Sequence, residues 1–380
     1  MSLISSSGKW KNLLSLGLFL LSACAGKTEP IVKRPSTLEH RPRIAVLPVE
    51  NLSGTAAPLK EMGQIFIRRL EEQGIEVLAP NALEDMMARH RIRYTGGIDR
   101  ETAQAFRDEA GTEGVLITSL ELYSNLIPPK IALTSRLVET GPDPTIRWIE
   151  AVGLAGDDSP GILGLGLVEE MPPILDKALQ ALSDSLFAHL SGQRSGRVPQ
   201  RERRFEPKIW YQSPTLDPGK EYRLAVLPFV NLSDRKYAGE IMRLHFVRHL
   251  VTSGNYNVIE PGVVRQELLT SRMIMEEGLS LAQADVMFSG LDAGLLLMGK
   301  VIDYQDFQGA FGNPKVDFSV QLIERKDREV VWSSNSHNQG DVLVSIFDWG
   351  RLRTAHVMAS KMVQSICQMW EEPPRQARRR

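Results

Sequence analysis

Cysteine is nearly absent: the 380 residues hold two, Cys24 and Cys367. Two thiols cannot build a disulfide framework, and they exclude zinc sites made from several thiolates. A surplus of charge is missing too. Lys and Arg number 45 against 46 Asp and Glu, a formal net charge of −1, so the protein as a whole lacks the basic excess of a nucleic-acid binder. Beyond the amino terminus no apolar run reaches the ~20 residues that a membrane-crossing helix requires. Gly-x-Ser-x-Gly does not occur, which leaves a nucleophile-elbow hydrolase without an anchor. Asp-x-Asp-x-Asp-Gly does not occur either, so no calcium loop of the EF-hand kind is present.

What the chain has is a repeated opening. Arg43-Ile44-Ala45-Val46-Leu47-Pro48-Val49-Glu50-Asn51-Leu52-Ser53 returns as Arg223-Leu224-Ala225-Val226-Leu227-Pro228-Phe229-Val230-Asn231-Leu232-Ser233, with Ala225 lying 180 residues after Ala45. That period is too long for a solenoid and indicates two copies of a whole domain. Further pairs keep step: Val77-Leu78-Ala79-Pro80 with Val258-Ile259-Glu260-Pro261, Gly114-Val115-Leu116 with Gly294-Leu295-Leu296, and Trp148 with Trp332.

Within each copy short apolar runs alternate with amphipathic stretches. In the first, strands are expected at 44–47, 75–78, 114–122, 131–139 and 146–154, with helices at 59–72, 82–90, 99–109 and a long one ending near Leu190. In the second, strands are expected at 224–227, 258–259, 294–304, 316–324 and 329–332. Helices are expected at 238–251, 263–270 and 281–288, with a terminal helix carrying Ala355, Met358, Ala359, Met362, Ile366 and Met369 on one face. The fold class is therefore α/β: two tandem repeats of a mixed-sheet domain with helices packed on the sheet. The first strand-helix-strand of each is a parallel crossover and the later short connections are antiparallel hairpins. The organisation expected is a signal segment at 1–23, a tether at 24–42, the first repeat at 43–190, an exposed basic Pro/Gly linker at 191–220, the second repeat at 221–370 and a basic tail at 371–380. Each copy has its own closing helix, so each is expected to cover its own sheet and fold independently.

The amino terminus gives a location. Lys9 and Lys11 precede the apolar run from Leu13 to Leu21, which is too short to span a bilayer and has the form of an export signal. Leu21-Ser22-Ala23-Cys24 resembles the lipobox of bacterial lipoproteins. The resemblance implies cleavage before Cys24, a diacylglycerol thioether on its sulfur and an acylated amino group, an anchor that holds a protein on a membrane nearly permanently. By the habit of that family, Ala25 after the cysteine favours the outer membrane. With Cys24 acylated, Cys367 has no partner for a disulfide.

The repeated Ala-Val-Leu-Pro-x-x-Asn-Leu-Ser resembles the amino-terminal domain of TolB and the curli-secretion (CsgG-like) lipoprotein family, over both repeats. The resemblance implies binding and assembly work in the bacterial envelope. The curli channels insert membrane-crossing hairpins of over about twenty residues. Here the connections 305–314 and 124–130 are too short for that, and 153–166 has no alternating pattern.

Other candidates favour ordinary structural roles. Gly294-Leu295-Leu296-Leu297-Met298-Gly299-Lys300-Val301 fits Gly-x4-Gly-Lys, but Val301 stands where a hydroxyl would hold Mg²⁺, and the large apolar residues between the glycines suit a strand. His245 and His249 have the i, i+4 spacing of two metal ligands, without the Glu of His-Glu-x-x-His. Their counterparts are Ile65 and Arg69, and a polar helix flank beside a core position is expected. Asp157, Asp158, Glu169 and Glu170 are expected to be a solvated loop, and Cys367 to be packing. The sequence thus assigns no catalytic, cofactor-binding or metal residue, and one site residue, the lipid attachment Cys24. The function expected is a non-catalytic binding or assembly component, periplasmic and lipid-anchored at the outer membrane. Its partners would be the membrane and an unidentified envelope protein, with self-association left open. An oligomeric export component or an accessory activator of cell-wall synthesis are the alternatives.

Overall fold

A computed structural model describes residues 42–158, 167–193, 201–275, 278–307, 313–340 and 352–372. Cys24, the expected signal segment and tether up to residue 41, and the expected tail from Pro373 lie outside them. The described residues belong to one compact unit.

The first repeat builds a six-stranded sheet ordered β3-β1-β4-β5-β6, with β2 beside β4. Its strands are β1 (Arg43–Val46), β2 (Glu50–Asn51), β3 (Glu76–Val77), β4 (Gly114–Ser124), β5 (Lys130–Glu139) and β6 (Ile146–Ala155). The helices are α1 (Leu59–Glu72), α2 (Pro80–Arg89), α3 (Arg100–Ala110) and α4 (Met171–Leu190). β1 runs parallel to β3 and β4, while β4, β5 and β6 form antiparallel hairpins. α1 forms where Met62, Phe66 and Leu70 recur every fourth residue, and that stripe is its buried face. α3 begins at Asp99, whose carboxylate accepts the Thr102 N–H, and ends at Gly111 in the left-handed region.

The second repeat repeats this order. β8 (Tyr222–Val226), β9 (Val230–Asn231), β10 (Tyr256–Val258), β11 (Leu295–Gln305), β12 (Lys315–Glu324) and β13 (Val330–Gln339) are interleaved with α5 (Ala238–Ser253), α6 (Pro261–Thr270), α7 (Leu281–Leu291) and α8 (Ala355–Trp370). The irregularities are duplicated as well. β4 bulges between Leu120 and Leu122, and β11 between Val301 and Asp303. β5 shifts register after Leu137 and β12 after Leu322. The Asn-Leu-Ser motif explains itself: Asn51 accepts from the Ser53 N–H and donates to the Thr55 carbonyl, as Asn231 does with Ser233 and Arg235. It is an Asx turn that ends the short second strand. Trp148 faces Leu137 and Trp332 faces Leu322, as the sequence alignment expects. One equivalence is corrected. Ile44 faces Gly114, but Leu224 faces Leu295, so Leu295 and not Gly294 occupies the station of Gly114.

Two further expectations are corrected. Residues 201–220 are no exposed linker. They carry β7 (Ile209–Gln212), which closes a seven-stranded sheet as the edge partner of β13. Phe205 and Leu216 are buried in the core, and Trp210 stacks on Trp332 at 5.5 Å. Two of the arginines there are paired, Arg201 with Glu206 and Glu372, and Arg204 with Glu202, while Arg194 and Arg197 lie outside the described residues. Nor does the first repeat cover its own sheet completely. α1 and α4 close one face. On the other face α2 and α3 share a continuous core with α5 and α8 of the second repeat, and α5 packs on β6 as well as on β8 and β11. This position between two sheets explains why α5 is buried around its circumference while its counterpart α1 buries one stripe.

Candidate functional site

The face of the first sheet that meets the second repeat carries polar side chains. Ile117 pairs with Arg136, and Ser119 with Thr134. In a buried layer each such group requires a partner, because an unpaired one costs ~1–3 kcal/mol. Most find one. Ser119 donates to Glu50 at 2.7 Å, and Thr134 donates to Glu121 at 2.5 Å. Arg136 forks onto Glu260, which also starts α6. Arg248 of α5 reaches Glu150 of β6 at 2.6 Å.

At the far end of this seam Glu121, His245 and His356 meet. Glu121 is the extra residue of the β4 bulge: Leu120 faces Leu133 and Leu122 faces Ala132, and nothing on β5 is opposite Glu121. A bulge re-aims its side chain, and here the carboxylate leaves the ladder for the second repeat. Arg235 captures the Glu121 carbonyl. His245 projects from the middle of α5. His356 lies in the first turn of α8, where Thr354 caps the helix by accepting the Val357 N–H. Glu121 Oε2 and His356 Nδ1 are 2.6 Å apart, and the two imidazole centroids 4.7 Å. All three residues are buried, and neither ring nitrogen of His245 has a hydrogen-bond partner. Burial opposes ionisation of Glu121, but His356, His245 and Thr134 overcome it and hold the carboxyl down to about 2. Burial, with His356 beside it, pushes His245 well below the usual imidazole range. One ligand atom from each residue lies within 4.8 Å of the others, and among the described residues this is the set of Glu, His, Asp and Cys side chains so arranged.

The sequence candidates fare differently. The i, i+4 histidines do not converge: His249 Nε2 sits 3.0 Å from Ser360 Oγ, while His245 turns to Glu121. The expectation of a polar flank is corrected for His245, because α5 is covered on that side by the first sheet. Residues Leu295 to Val301 lie in central strand β11, paired with β8 and β12, which leaves their amides unavailable to a phosphate. Asp157 pairs with Arg353, Asp158 accepts the Ala155 N–H, and Glu169 and Glu170 are exposed. Cys367 is buried in the core, and burial raises its thiol well above the usual range. Sequence reasoning missed Glu121 and His356. The available signal was a lone carboxylate between Leu120 and Leu122 in a strand with no other charged residue. A shallow polar cleft of about 250 Å³ also opens at the junction, lined by Arg91, Tyr94, Asp99 and Arg265, with the Arg265 guanidinium 4.4 Å from the Tyr94 ring centroid. No described helix is long and apolar enough to cross a membrane.

No family model matches the chain, and no curated protein does. Solved structures similar to parts of it include the PelC dodecamer of Paraburkholderia phytofirmans, at 20% identity and TM-score 0.31, covering 44% of this chain and 97% of that one. Lipoprotein GNA1162 of Neisseria meningitidis is similar at 16% identity and TM-score 0.29, covering 38% and 95%. LpoB of E. coli is similar at 14% and 0.24, covering 31% and 57%. Likeness at these scores bears on neither mechanism nor partner.

Proposed function

We propose that the protein is a lipid-anchored component of the bacterial envelope that works by binding or assembly, held through Cys24 at the periplasmic side of the outer membrane. The observation that carries this reading is the lipobox-like Leu21-Ser22-Ala23-Cys24 behind a short apolar export signal, in front of a duplicated α/β unit. The repeated sequence Ala-Val-Leu-Pro-x-x-Asn-Leu-Ser, which resembles that of TolB and the curli-secretion family, supports the assembly side. So does the seam: its charged side chains are engaged with one another across the repeats, an arrangement that serves rigidity rather than turnover. The partner is an envelope protein, and the exposed polar cleft at the repeat junction is a surface on which it could rest.

The test is lipid labelling in intact cells. Wild-type protein should take up a palmitate analogue, lose its first 23 residues and fractionate with membranes until detergent is added. Cys24→Ala should remain unlabelled and uncleaved. A wild-type mature protein that is soluble and carries no acyl mass would overturn the proposal.

A further inference from the structure

We propose that Glu121, His245 and His356 bind a divalent transition-metal ion, zinc foremost, that joins the first repeat to the second. The site draws one ligand from β4 and two from the helices packed against it, so it exists only when the repeats are docked.

Three observations carry the assignment. The first is chemical. Two imidazoles and one carboxylate are a donor set that zinc accepts, with a further position left for water or a hydroxyl. Thiolates are not required, so the scarcity of cysteine is no obstacle.

The second is geometric. Zinc bonds nitrogen and oxygen at ~2.0–2.2 Å, which sets tetrahedral ligand atoms about 3.3 Å apart. Glu121 Oε2 stands 2.6 Å from His356 Nδ1 and 3.9 Å from His245 Nε2. The required spacing lies between these two, and rotation about side-chain bonds opens one and closes the other. Thr134 bonds the second carboxylate oxygen at 2.5 Å, the kind of outer partner that orients a metal ligand.

The third is the state of His245. Its exposure is 1%, and both ring nitrogens lack partners. Burying an imidazole in that condition is unfavourable by ~1–3 kcal/mol, and helix packing does not demand it, since the counterpart in α1 is Ile65. The counterpart of Glu121 is likewise apolar: the extra residue of the β11 bulge is Ile302, which is 48% exposed. Histidine and glutamate therefore stand where the two copies differ and where the first sheet meets α5 and α8. A bound cation satisfies the Nε2 of His245 and explains both departures.

Exposures of 1% for Glu121 and 3% for His356 leave no open path from solvent, so the ion enters as the repeats close and exchanges slowly afterwards. Metal binding and docking are then one equilibrium.

The full mature chain, purified without chelator and without a polyhistidine tag, should contain about one zinc per molecule by elemental analysis. After unfolding in guanidinium with EDTA and removal of both, refolding with zinc should restore that content and raise the midpoint of thermal unfolding. Refolding with Co²⁺ should give the visible bands of a tetrahedral ion. His245→Phe decides between the readings even though it alters the core. Where a metal is bound, it loses the ion and the zinc-dependent rise in midpoint. Where none is bound, it removes an unpartnered imidazole, and the midpoint stays or rises. Wild-type protein refolded with zinc that carries less than about a tenth of an equivalent overturns the proposal. So does a His245→Phe variant that retains the wild-type zinc content.

Discussion

Arg136 of the first repeat and Glu260 of the second form a two-pronged ion pair, Nε to Oε2 at 3.1 Å and Nη2 to Oε1 at 2.8 Å, with neither side chain exposed. Arg136 also donates to the Gly96 carbonyl at 2.7 Å, and so ties three segments together. Taking two charges out of water costs about what their attraction returns, so the pair confers alignment more than stability. Glu260→Ala leaves a buried guanidinium without its counter-charge and should lower unfolding free energy by ~3–5 kcal/mol. Arg136→Met with Glu260→Leu should recover most of that loss. A double-mutant cycle from denaturant titrations measures both, and a double variant no better than the single one sinks the argument.

Close approach of backbones supplies a second contrast. A Cβ on Gly262 would lie 2.3 Å from the Ile98 nitrogen, in the other repeat, whereas a Cβ on Gly63 within α1 would meet nothing within 4 Å. Gly63→Ala should therefore stabilise by ~0.5–1 kcal/mol, the usual gain inside a helix. Gly262→Ala must push the repeats apart or distort the start of α6, and should destabilise by more than ~2 kcal/mol. Thermal unfolding of the two variants in parallel gives shifts of opposite sign if the packing is as described.

Much of this fold was legible in the chain because duplication supplied an internal control. α1 matches its expected limits, Leu59–Glu72, since a four-residue apolar spacing among charges has one helical solution. β13 was expected to stop near Trp332 but runs to Gln339. Its continuation, Ser333-Ser334-Asn335-Ser336, is polar and hides a strand whose alternate residues are nonetheless buried. Residues 201–220 misled through composition, as the arginines outnumbered Phe205 and Trp210, which decide the packing. The buried cluster was out of reach for a different reason. Glu121 and His356 are separated by 235 positions, and they meet only because a bulge and a helix from different copies face each other. Linear spacing holds no record of that.

Acid should weaken the junction at a second ion pair. Asp143 receives two hydrogen bonds from Arg223, both 2.9 Å, and these hold its carboxyl below the usual range against partial burial. A carboxylate whose folded pKa is depressed adds stability that is present above its unfolded value of about 4 and is lost as pH falls through the folded value. With Asp143 about half exposed, the contribution is at most ~1 kcal/mol after solvent screening. Wild-type protein should thus exceed Asp143→Asn in stability between about pH 5 and 7, with the gap closing below about pH 4. Urea titrations across that range provide the check, and a gap that persists unchanged into acid excludes the linkage.

The last expectation reverses what duplication alone suggests. Two copies with separate closing helices ought to fold as separate domains, yet the first repeat lacks its own cover over part of one face. Val138, Ile146 and Ile149 share a core with α5, and Arg136 and Glu121 of the same face rely on partners in the second repeat. Cutting the chain after residue 193 would expose that apolar surface and leave buried charges unpaired, which is the combination least compatible with a closed native state. A fragment of residues 42–193 should therefore keep helical circular dichroism but show a broad transition and bind a hydrophobic dye. Mixed with residues 201–372 and refolded together, it should recover a single sharp transition and elute as a one-to-one complex. If each fragment alone unfolds cooperatively, with stability equal to that of the intact chain, the repeats are independent domains and the shared core contributes nothing to holding them.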